Sequence, residues 1–444
     1  MNLKSIFRCL VAVVLSGCAS SYQEELYTQK PAHYAYIVGD VEGNSIDVES
    51  FADVYATPDS CQKMITALLS LKALGPNYRF MTKLYVTKSQ EKLRDVVLTF
   101  SGDPTLTSED LIKLIEPLTG RLIEGKIFLD ASLFRTPPFS PNLLRRDVGT
   151  ASARPVSAII IDKNVITVSV TPTGIGKPAH LTNDAGYEVD GTIITTSKPS
   201  SVQLYEEGGP IHAKGHVNVK DTPLKLRISP QGSDTYILHK MRRVLKEANI
   251  GGNLVIVHNK SHRPVQGLFV RGTASKPLRT LIPAPLKISE NLTFDSLFLK
   301  LLHAHGPQDA AAWDQGDAVI KSLMKRCCGV DLSQGRFVDG SGLARYNRIQ
   351  PRQLFQVLQS GYHIPELMAA MPSPGEDKST LKRRRLPRHI KAKDGIMTGI
   401  TCLCGYRLTP QNPKVFVIMT DSFSPPTSDM TKVIDQFVTD VLGE

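Results

Sequence analysis

Residues 57–80 read TPDSCQKMITALLSLKALGPNYRF. Pro58 and Asp59 are typical of a helix start, and the apolar residues that follow recur at helical spacing. Ser60 and Lys63 are three positions apart, so on a helix they share a face and the lysine amine can reach the serine hydroxyl. A lysine that is partly desolvated has a lowered pKa and can take the proton of a serine. The stretch therefore predicts a nucleophilic serine with its own base at the start of a buried helix.

The spacing alone is a weak signal. The chain has three further serines with a lysine three positions later, and these pairs are Ser89/Lys92, Ser322/Lys325 and Ser379/Lys382. Two solvated side chains on a helix surface are the commoner meaning of such a pair. The pair at Ser60 differs because it opens an apolar helix and is followed, in order, by Ser289-Glu290-Asn291 and Lys393-Asp394-Gly395.

Four segments together resemble one enzyme family. They are residues 57–80, residues 100–106 (FSGDPTL), residues 338–347 (VDGSGLARYN) and residues 392–406 (AKDGIMTGITCLCGY). Their order and approximate spacing are similar to those of the D-alanyl-D-alanine carboxypeptidase/endopeptidase family, the class C low-molecular-mass penicillin-binding proteins. The resemblance covers nearly the whole mature chain. It implies a serine enzyme that cleaves D-alanyl ends or cross-links of peptidoglycan stem peptides, and that β-lactams inhibit covalently.

The resemblance implies a role for each residue that matches the first two elements. Ser60 would be the acylated nucleophile and Lys63 its base. Ser289 would relay a proton to the departing amine. Asn291 would hold the substrate backbone with its side-chain amide.

The third element would bind the end of the substrate. By the same resemblance, Lys393 would supply positive charge near the substrate's terminal carboxylate, and Gly395 would keep the strand clear of side chains. The backbone amides of Ser60 and Ile396 would form an oxyanion hole, a contribution of about 2.7 to 4 kcal/mol per donor.

Asp394 departs from the family pattern, which is Lys-Thr-Gly at this element. A threonine hydroxyl donates a hydrogen bond to the substrate carboxylate, whereas an ionised aspartate can only accept one. Two carboxylates about 4 Å apart at an effective dielectric constant near 20 repel by roughly 4 kcal/mol. Lys393 would offset part of this, and a raised pKa would let a neutral Asp394 donate as threonine does. Alternatively, the side chain points away from the substrate.

Three functions remain open at this point. The first is an active D,D-peptidase, weakened by Asp394. The second is a catalytically impaired protein of the same fold that serves as a peptidoglycan-binding or scaffold lipoprotein. The third is a related hydrolase, an esterase or a β-lactamase, that does not need a substrate carboxylate.

The N-terminus resembles a bacterial lipoprotein signal. The apolar run 9–15 follows two basic residues and is too short to span a bilayer. Residues 15–18 (LSGC) look like a lipobox, so residues 1–17 would be a signal peptide and Cys18 would carry the lipid. Ala19 in place of an aspartate implies sorting to the outer membrane. We expect a lipid-anchored protein on the periplasmic face; an ordinary secretory signal is the alternative.

Composition narrows the choice of partners. The chain has 444 residues, of which 41% are hydrophobic and 21% charged, and its formal net charge is +11. These values are those of a globular protein with room for two or three domains. The charge is distributed, apart from the basic run 382–385, for which we expect a solvated loop. Nucleic acid does not fit a periplasmic protein, so the charge favours anionic wall or membrane surfaces.

The cysteines favour neither a disulfide framework nor a zinc site. Beyond Cys18 they are odd in number and lack metal-ligand spacing: Cys61, Cys327, Cys328, Cys402 and Cys404. We expect no metal, nucleotide or other cofactor. Cys61 lies on a different helix face from Ser60, and packing is its expected role.

The expected fold is α/β, with a penicillin-binding/β-lactamase-like catalytic domain whose antiparallel sheet lies between helices. Ser60 and Ser289 are 229 positions apart, which requires an insertion. Two nested, β-rich inserted domains account for it. The expected ranges are 18–92 and 262–444 for the catalytic domain, 93–170 and 230–261 for the first insertion, and 171–229 for the small β-rich domain inside it.

Individual elements follow from local patterns. Strands are expected at 95–100 and 156–161, and a helix at 108–118, capped at its first residue. Near the C-terminus, strands are expected at 391–400, 401–408 and 415–420, the first at the sheet edge with Lys393, followed by a closing helix at 430–442.

Overall fold

The computed structural model describes residues 33–89, 92–135, 137–262, 267–307, 310–421 and 426–443. The predicted signal peptide, residues 1–17, and the predicted lipidation site, Cys18, lie outside the described residues. Within the described ranges, no helix is both long and apolar enough to cross a membrane.

The strands are, in chain order, β1 (His33–Asp40), β2 (Ile46–Ser50), β3 (Met81–Ser89), β4 (Lys92–Thr99), β5 (Leu122–Asp130), β6 (Ile166–Thr171), β7 (His180–Asn183), β8 (Val189–Thr196), β9 (Ser201–Glu206), β10 (Ile211–Asn218), β11 (Leu224–Ile228), β12 (Gly251–Val257), β13 (Leu268–Ala274), β14 (Ile390–Met397), β15 (Ile400–Arg407) and β16 (Lys414–Asp421).

The α-helices are α1 (Gln62–Leu69), α2 (Ser108–Ile115), α3 (Ser233–Glu247), α4 (Leu278–Leu281), α5 (Pro283–Lys287), α6 (Asn291–His305), α7 (Gly316–Cys328), α8 (Pro351–Gly361), α9 (Pro365–Ala370) and α10 (Thr427–Leu442). A 3₁₀ turn, Asp59–Cys61, leads into α1, and a π-helical turn, Ser70–Leu74, follows it.

The chain divides into two compact units. The first contains the chain up to Tyr78, Pro277–Leu301 and the chain from Asp314 onward, and the second contains Arg79–Lys276 and Leu302–Trp313. Strands β3 and β13 therefore belong to the second unit, although the predicted ranges 18–92 and 262–444 placed them in the catalytic domain. The division into three nested domains stays a prediction.

The first unit is built on a five-stranded antiparallel sheet with the order β14-β15-β16-β1-β2. Alternate residues of the strands face opposite sides. On one side, residues such as Ala392 and Leu403 form a core with Phe437 and Val438 of α10. On the other side, the hydroxyl of Tyr406 donates to the carbonyl of Leu358 in α8 at 2.7 Å. The predicted antiparallel sheet between helices is confirmed, and β14 is an edge strand, as expected.

The described residues of the second unit form three sheets. A mixed five-stranded sheet has the order β12-β5-β4-β3-β13, and two three-stranded sheets have the orders β11-β6-β7 and β8-β10-β9. Helix α2 begins after a capping box formed by Thr107 and Asp110, one residue before the predicted cap. Residues 156–161 are largely buried but pair with no strand in the described part of the chain, so the strand predicted there is absent.

Candidate active site

The nucleophile candidate lies at the start of a buried helix. Ser60 is the middle residue of the 3₁₀ turn Asp59–Cys61, and it is partly exposed. All eight residues of α1 are buried, since the helix packs in the interior of the first unit. The local fold matches the prediction, because α1 is buried while Ser60, in the 3₁₀ turn before it, reaches the surface.

Lys63 is joined directly to Ser60. Its Nζ donates to Ser60 Oγ at 2.9 Å, to Asn291 Oδ1 at 2.7 Å and to the carbonyl oxygen of Ser341 at 2.7 Å. The side chain has no exposed surface. Burial, reinforced by the charge of Lys393, lowers the pKa of Lys63 to about 8. A neutral lysine amine is therefore accessible near neutral pH, as a base for Ser60 requires.

The Ser-x-Asn element reaches the site through its asparagine. Asn291 is the first residue of α6 and accepts from Lys63. Ser289 lies in the bend before that helix, with a positive φ of 57°, and is partly exposed. No hydrogen bond joins the Ser289 hydroxyl to Ser60 or Lys63 among the described residues. Its role as a proton relay stays a prediction.

The loop 338–347 holds α1 in place, although the sequence analysis assigned it no role. Three successive carbonyl groups of the loop accept from three side chains of the helix: Asp339 from Gln62 at 3.5 Å, Gly340 from Thr66 at 2.7 Å and Ser341 from Lys63 at 2.7 Å. The loop therefore fixes the position of the lysine amine relative to the serine hydroxyl.

Two acids shape that loop, the buried Asp339 and the partly buried Asp295. The Asp339 carboxylate accepts from the amides of Gly342 at 2.8 Å and Ala344 at 2.6 Å. Asp295 accepts from the Gly340 and Ser341 amides at 3.1 and 2.9 Å. Burial, together with the neighbouring Asp339, raises the pKa of Asp295 to about 8. Asp295 lies on α6, about one turn after Asn291, and no motif in the sequence points to it.

The third element lies on β14, against the nucleophile. A Cβ atom at Gly395 would lie 2.8 Å from the Ser60 nitrogen, so only glycine fits there. The next residue, Ile396, is 49% exposed on the edge strand. The structure thus brings Ser60, Lys63, Asn291 and this strand together.

Asp394 is held by a set of donors. It neighbours Gly395 in the strand, so its side chain starts on the opposite face of β14. The carboxylate accepts from the Thr380 hydroxyl at 2.5 Å and lies 3.2 Å from Lys393 Nζ and 3.6 Å from Arg384 Nη1. Burial alone would raise the pKa of Asp394, but Lys393, Thr380 and Arg384 hold it below its ordinary value. An ionised carboxylate is therefore favoured over the neutral acid that the sequence left open.

Arg384 is buried, although a solvated loop was expected at this place. The basic run 382–385 was expected to be a solvated loop, yet the Arg384 side chain is only 5% exposed. Its guanidinium lies between Asp394 and Asp435 of α10, with 2.7 Å from Nε to Asp435 Oδ1. The two carboxylates account for its burial.

Lys393 is hydrogen-bonded to its neighbour Asp394. It has no exposed surface, and its Nζ donates to the Asp394 carbonyl oxygen as well as to the Asp394 carboxylate. Its role toward a substrate carboxylate stays a prediction. Cys61 Sγ donates to the backbone carbonyl oxygen of Lys393 at 3.2 Å. Cys61 is fully buried, which confirms its expected packing role.

The comparison with known families agrees with this geometry. The model of the D-Ala-D-Ala carboxypeptidase 3 (S13) family matches residues 22–441. The chain belongs to that family. A chain of the S13 family is a serine-type peptidase. The geometry described above, and not the family match, indicates that its serine is the partly exposed Ser60.

Relatives of this S13-family chain share nearly its whole length. The D-alanyl-D-alanine carboxypeptidase DacB of Haemophilus influenzae is 25% identical over 418 residues, which are 88% of this chain and 86% of the relative. The crystal structure of penicillin binding protein 4 (dacB) from the same organism has a TM-score of 0.80 at 22% identity and covers 94% of this chain and 99% of its own. A second structure of that protein, complexed with a novel β-lactam, has a TM-score of 0.78.

A more distant likeness concerns a predatory endopeptidase from Bdellovibrio bacteriovorus, solved in complex with an immunity protein. It covers 93% of this chain and 94% of its own, with a TM-score of 0.54 at 14% identity. These structural matches confirm the penicillin-binding fold of the S13-family chain.

Proposed function

We propose that the protein hydrolyses D-alanyl ends or D-alanyl cross-links of peptidoglycan stem peptides through an acyl-enzyme at Ser60. The observation that carries this proposal is the 2.9 Å hydrogen bond between Lys63 Nζ and Ser60 Oγ, made by a buried lysine whose pKa is lowered to about 8. A serine hydroxyl needs such a base, because it is a weak nucleophile at its own pKa.

The reaction follows from the geometry in two halves. Neutral Lys63 takes the Ser60 proton while Ser60 Oγ bonds to the carbonyl carbon of the penultimate D-alanine. Negative charge then develops on the carbonyl oxygen, beside the Ser60 and Ile396 amides. The C–N bond breaks, and the departing amine takes the proton from Lys63, with Ser289 as the candidate relay. Water then cleaves the ester and restores Ser60.

The edge strand offers a place for the peptide. Among the described residues, β14 pairs in its sheet with β15 alone, and the Ala392 amide on its other side donates to the Pro372 carbonyl oxygen at 3.1 Å. An extended chain can therefore add by strand addition to the part of β14 beyond Ala392. Asn291, held by Lys63, is the candidate donor to the substrate backbone from the facing side.

Asp394 weakens the binding of the substrate's terminal carboxylate in this proposal. Lys393 is the expected partner of that carboxylate, yet its amine already lies 3.2 Å from Asp394 Oδ1. A substrate must therefore compete with an internal carboxylate for the same cation. Arg384 and Thr380 moderate the effect, because they also bind Asp394.

Carboxypeptidase and endopeptidase activity share the acyl-enzyme and differ only in the departing amine. A terminal D-alanine leaves in the first case, and a cross-linked side-chain amine in the second. The Haemophilus relative is named a carboxypeptidase, and the Bdellovibrio protein an endopeptidase. We assign both substrate types to this chain.

The location proposed for the protein is the periplasmic side of the outer membrane, with a lipid on Cys18. The LSGC motif at residues 15–18 supports this proposal. The family match starts at residue 22, shortly after that motif.

A second candidate function is a wall-binding scaffold with little or no turnover. The engagement of Lys393 by Asp394 favours it, because the cation expected to bind substrate is already paired.

The release of D-alanine from a synthetic peptide that ends in D-Ala-D-Ala tests the proposal. Wild type should release D-alanine and Ser60→Ala should not. Ser322→Ala is the matched control, because Ser322 and Lys325 have the same spacing on α7, and it should behave as wild type. Equal release by wild type and Ser60→Ala would reject the acyl-enzyme, and no release by wild type would favour the scaffold.

A further inference from the structure

Asp59, the residue before the nucleophile, has a carboxyl group that binds the nucleophile's own amide. Asp59 Oδ1 accepts from the Ser60 backbone nitrogen at 2.5 Å. The residue is 3% exposed, and its second oxygen, Oδ2, is buried without a hydrogen-bond partner among the described residues. A helix-capping carboxylate ordinarily binds amides two or three residues ahead, which this one does not.

Two glycines lie close to Asp59, Gly395 against its side chain and Gly342 against its backbone carbonyl. A Cβ atom at Gly395 would lie 2.8 Å from Asp59 Cβ and 3.0 Å from Asp59 Cγ, besides 2.8 Å from the Ser60 nitrogen. A Cβ atom at Gly342 would lie 1.8 Å from the Asp59 carbonyl oxygen. The Asp59 side chain therefore lies between the Ser60 amide and Gly395 of β14, which is the residue before Ile396. The backbone amides of Ser60 and Ile396 are the donors expected to hold the substrate's developing oxyanion.

We propose that the Asp59 carboxyl is an internal ligand of the oxyanion hole, and that acylation of Ser60 requires this carboxyl to release the Ser60 amide. The inference rests on the proposed function. An ionised carboxylate binds an amide more strongly than a neutral carbonyl oxygen does, so it competes well with the substrate. It also adds negative charge where the transition state develops negative charge, which opposes the effect of an oxyanion hole.

The charged and titratable groups that face Asp59 are Lys63 on α1, Lys393 on β14, the adjacent Cys61 and, from β15, Cys402. Burial raises the pKa of Asp59 to about 6, although both lysines act in the opposite direction. The carboxyl is therefore mostly ionised at pH 7 and mostly neutral at pH 5.

Asp59 also acts on the base. Its negative charge raises the pKa of Lys63, against the stronger effect of burial. An ionised Asp59 therefore occupies the amide and favours the protonated form of Lys63, which cannot take the serine proton. Acylation needs a neutral Asp59, present below about pH 6, and a neutral Lys63, present above about pH 8. The rate should be highest between these values.

Two substitutions separate the charge of the carboxyl from its bulk. Asp59 has a φ of 47°, a left-handed conformation that glycine and asparagine tolerate. Asp59→Asn keeps an acceptor for the Ser60 amide without the charge, and Asp59→Gly removes both. Because about one tenth of an acid with a pKa near 6 is neutral at pH 7, Asp59→Gly should acylate about tenfold faster there.

The experiment measures the second-order rate constant of acylation by a fluorescent penicillin from pH 5 to 9, with a thermal melt of each variant to check folding. Asp59→Gly should be fastest and Asp59→Asn intermediate. In both variants the alkaline limb, the fall in rate above about pH 8, should disappear, because no titrating carboxylate is left beside the Ser60 amide and only the dependence on neutral Lys63 remains. A purely structural role at the helix start would not remove that limb. Asp103→Asn is the control, because Asp103 is a buried acid of the second unit that accepts from Thr105 at 2.8 Å, and its rate should equal that of wild type.

Folded Asp59 variants that acylate at the wild-type rate with the wild-type pH profile would overturn the inference, while Ser60-dependent acylation would keep the proposed function intact. Slower acylation by both variants would overturn it too, because Asp59 would then assist the reaction. Labelling of Asp59→Gly without labelling of wild type would support it strongly. Failure of every variant and of wild type to label would overturn the inference together with the proposed function.

Discussion

Lys393 and Asp394, neighbours on the edge strand β14, form a buried ion pair with 3.2 Å between Nζ and Oδ1. In the proposed function, this lysine is the partner of the carboxylate at the end of the substrate. In this chain it already has a carboxylate partner. In the proposed function, this pairing would weaken the hold of the site on a free C-terminus.

Replacing Asp394 by threonine should free Lys393 for the substrate. We expect kcat/KM on a peptide that ends in D-Ala-D-Ala to rise by about one to three decades, because a buried carboxylate no longer competes with the substrate for Lys393. Since the pKa of Asp394 is held below its ordinary value, the residue stays ionised from pH 5 to 8. The gain should therefore be similar across that range. A threonine variant no faster than wild type at any of these pH values would mean that Asp394 does not limit the reaction.

Lys63→Arg should remove the base while keeping the positive charge. Arginine cannot lose its proton in this range, so acylation should fall by about two to four decades at every pH. In wild type, acylation should decrease as the pH is lowered from 7 to 5, because the pKa of Lys63 is about 8 and its neutral fraction shrinks. Stopped-flow acylation by a β-lactam measures both effects. A Lys63→Arg variant within threefold of wild type would assign the base to another group.

Arg384→Ala should destabilise the first unit. The substitution leaves Asp394 and Asp435 without their shared cation, and removing one partner of a buried ion pair costs about 3 to 5 kcal/mol. Arg383→Ala is the matched control, because Arg383 is exposed in the same basic run. Thermal unfolding should show a lower midpoint for Arg384→Ala and an unchanged one for Arg383→Ala. Equal midpoints would mean that the Arg384 contacts contribute little.

Cys18→Ser should release the protein from membranes without altering its fold. The prediction follows from the lipobox-like residues 15–18. Fractionation of cells that carry either form measures it, with wild type in the outer-membrane pellet and the variant in the soluble fraction. If the variant still pellets after high-salt washing, a second attachment exists.

Local geometry made much of the fold and site predictable. Ser60 and Lys63 meet because three-residue spacing on a helix is enough to bring them together. The three C-terminal strands follow from apolar runs, and they lie within two or three residues of the predicted bounds. Such patterns depend on near neighbours in sequence, which a single chain displays directly.

Contacts between distant segments were not predictable. Thr380 and Arg384 lie in a polar stretch, and nothing in their spacing shows that Asp394 would draw them inward. Residues 156–161 have the composition of a strand, but composition gives burial and not ladder pairing. The direction of the Asp59 carboxyl depends on a left-handed backbone and on the distant Gly395, which no pattern around Ser60 reveals.

The central claim is that Ser60 is the acylated residue, and intact-mass spectrometry after incubation with benzylpenicillin tests it most directly. Wild type should gain the mass of one β-lactam, and proteolytic mapping should place the adduct on the peptide that contains Ser60. Ser60→Ala should gain nothing, while Ser322→Ala should gain the same mass as wild type. An adduct of equal amount on Ser60→Ala, or no adduct on wild type across a broad panel of β-lactams, would contradict the account.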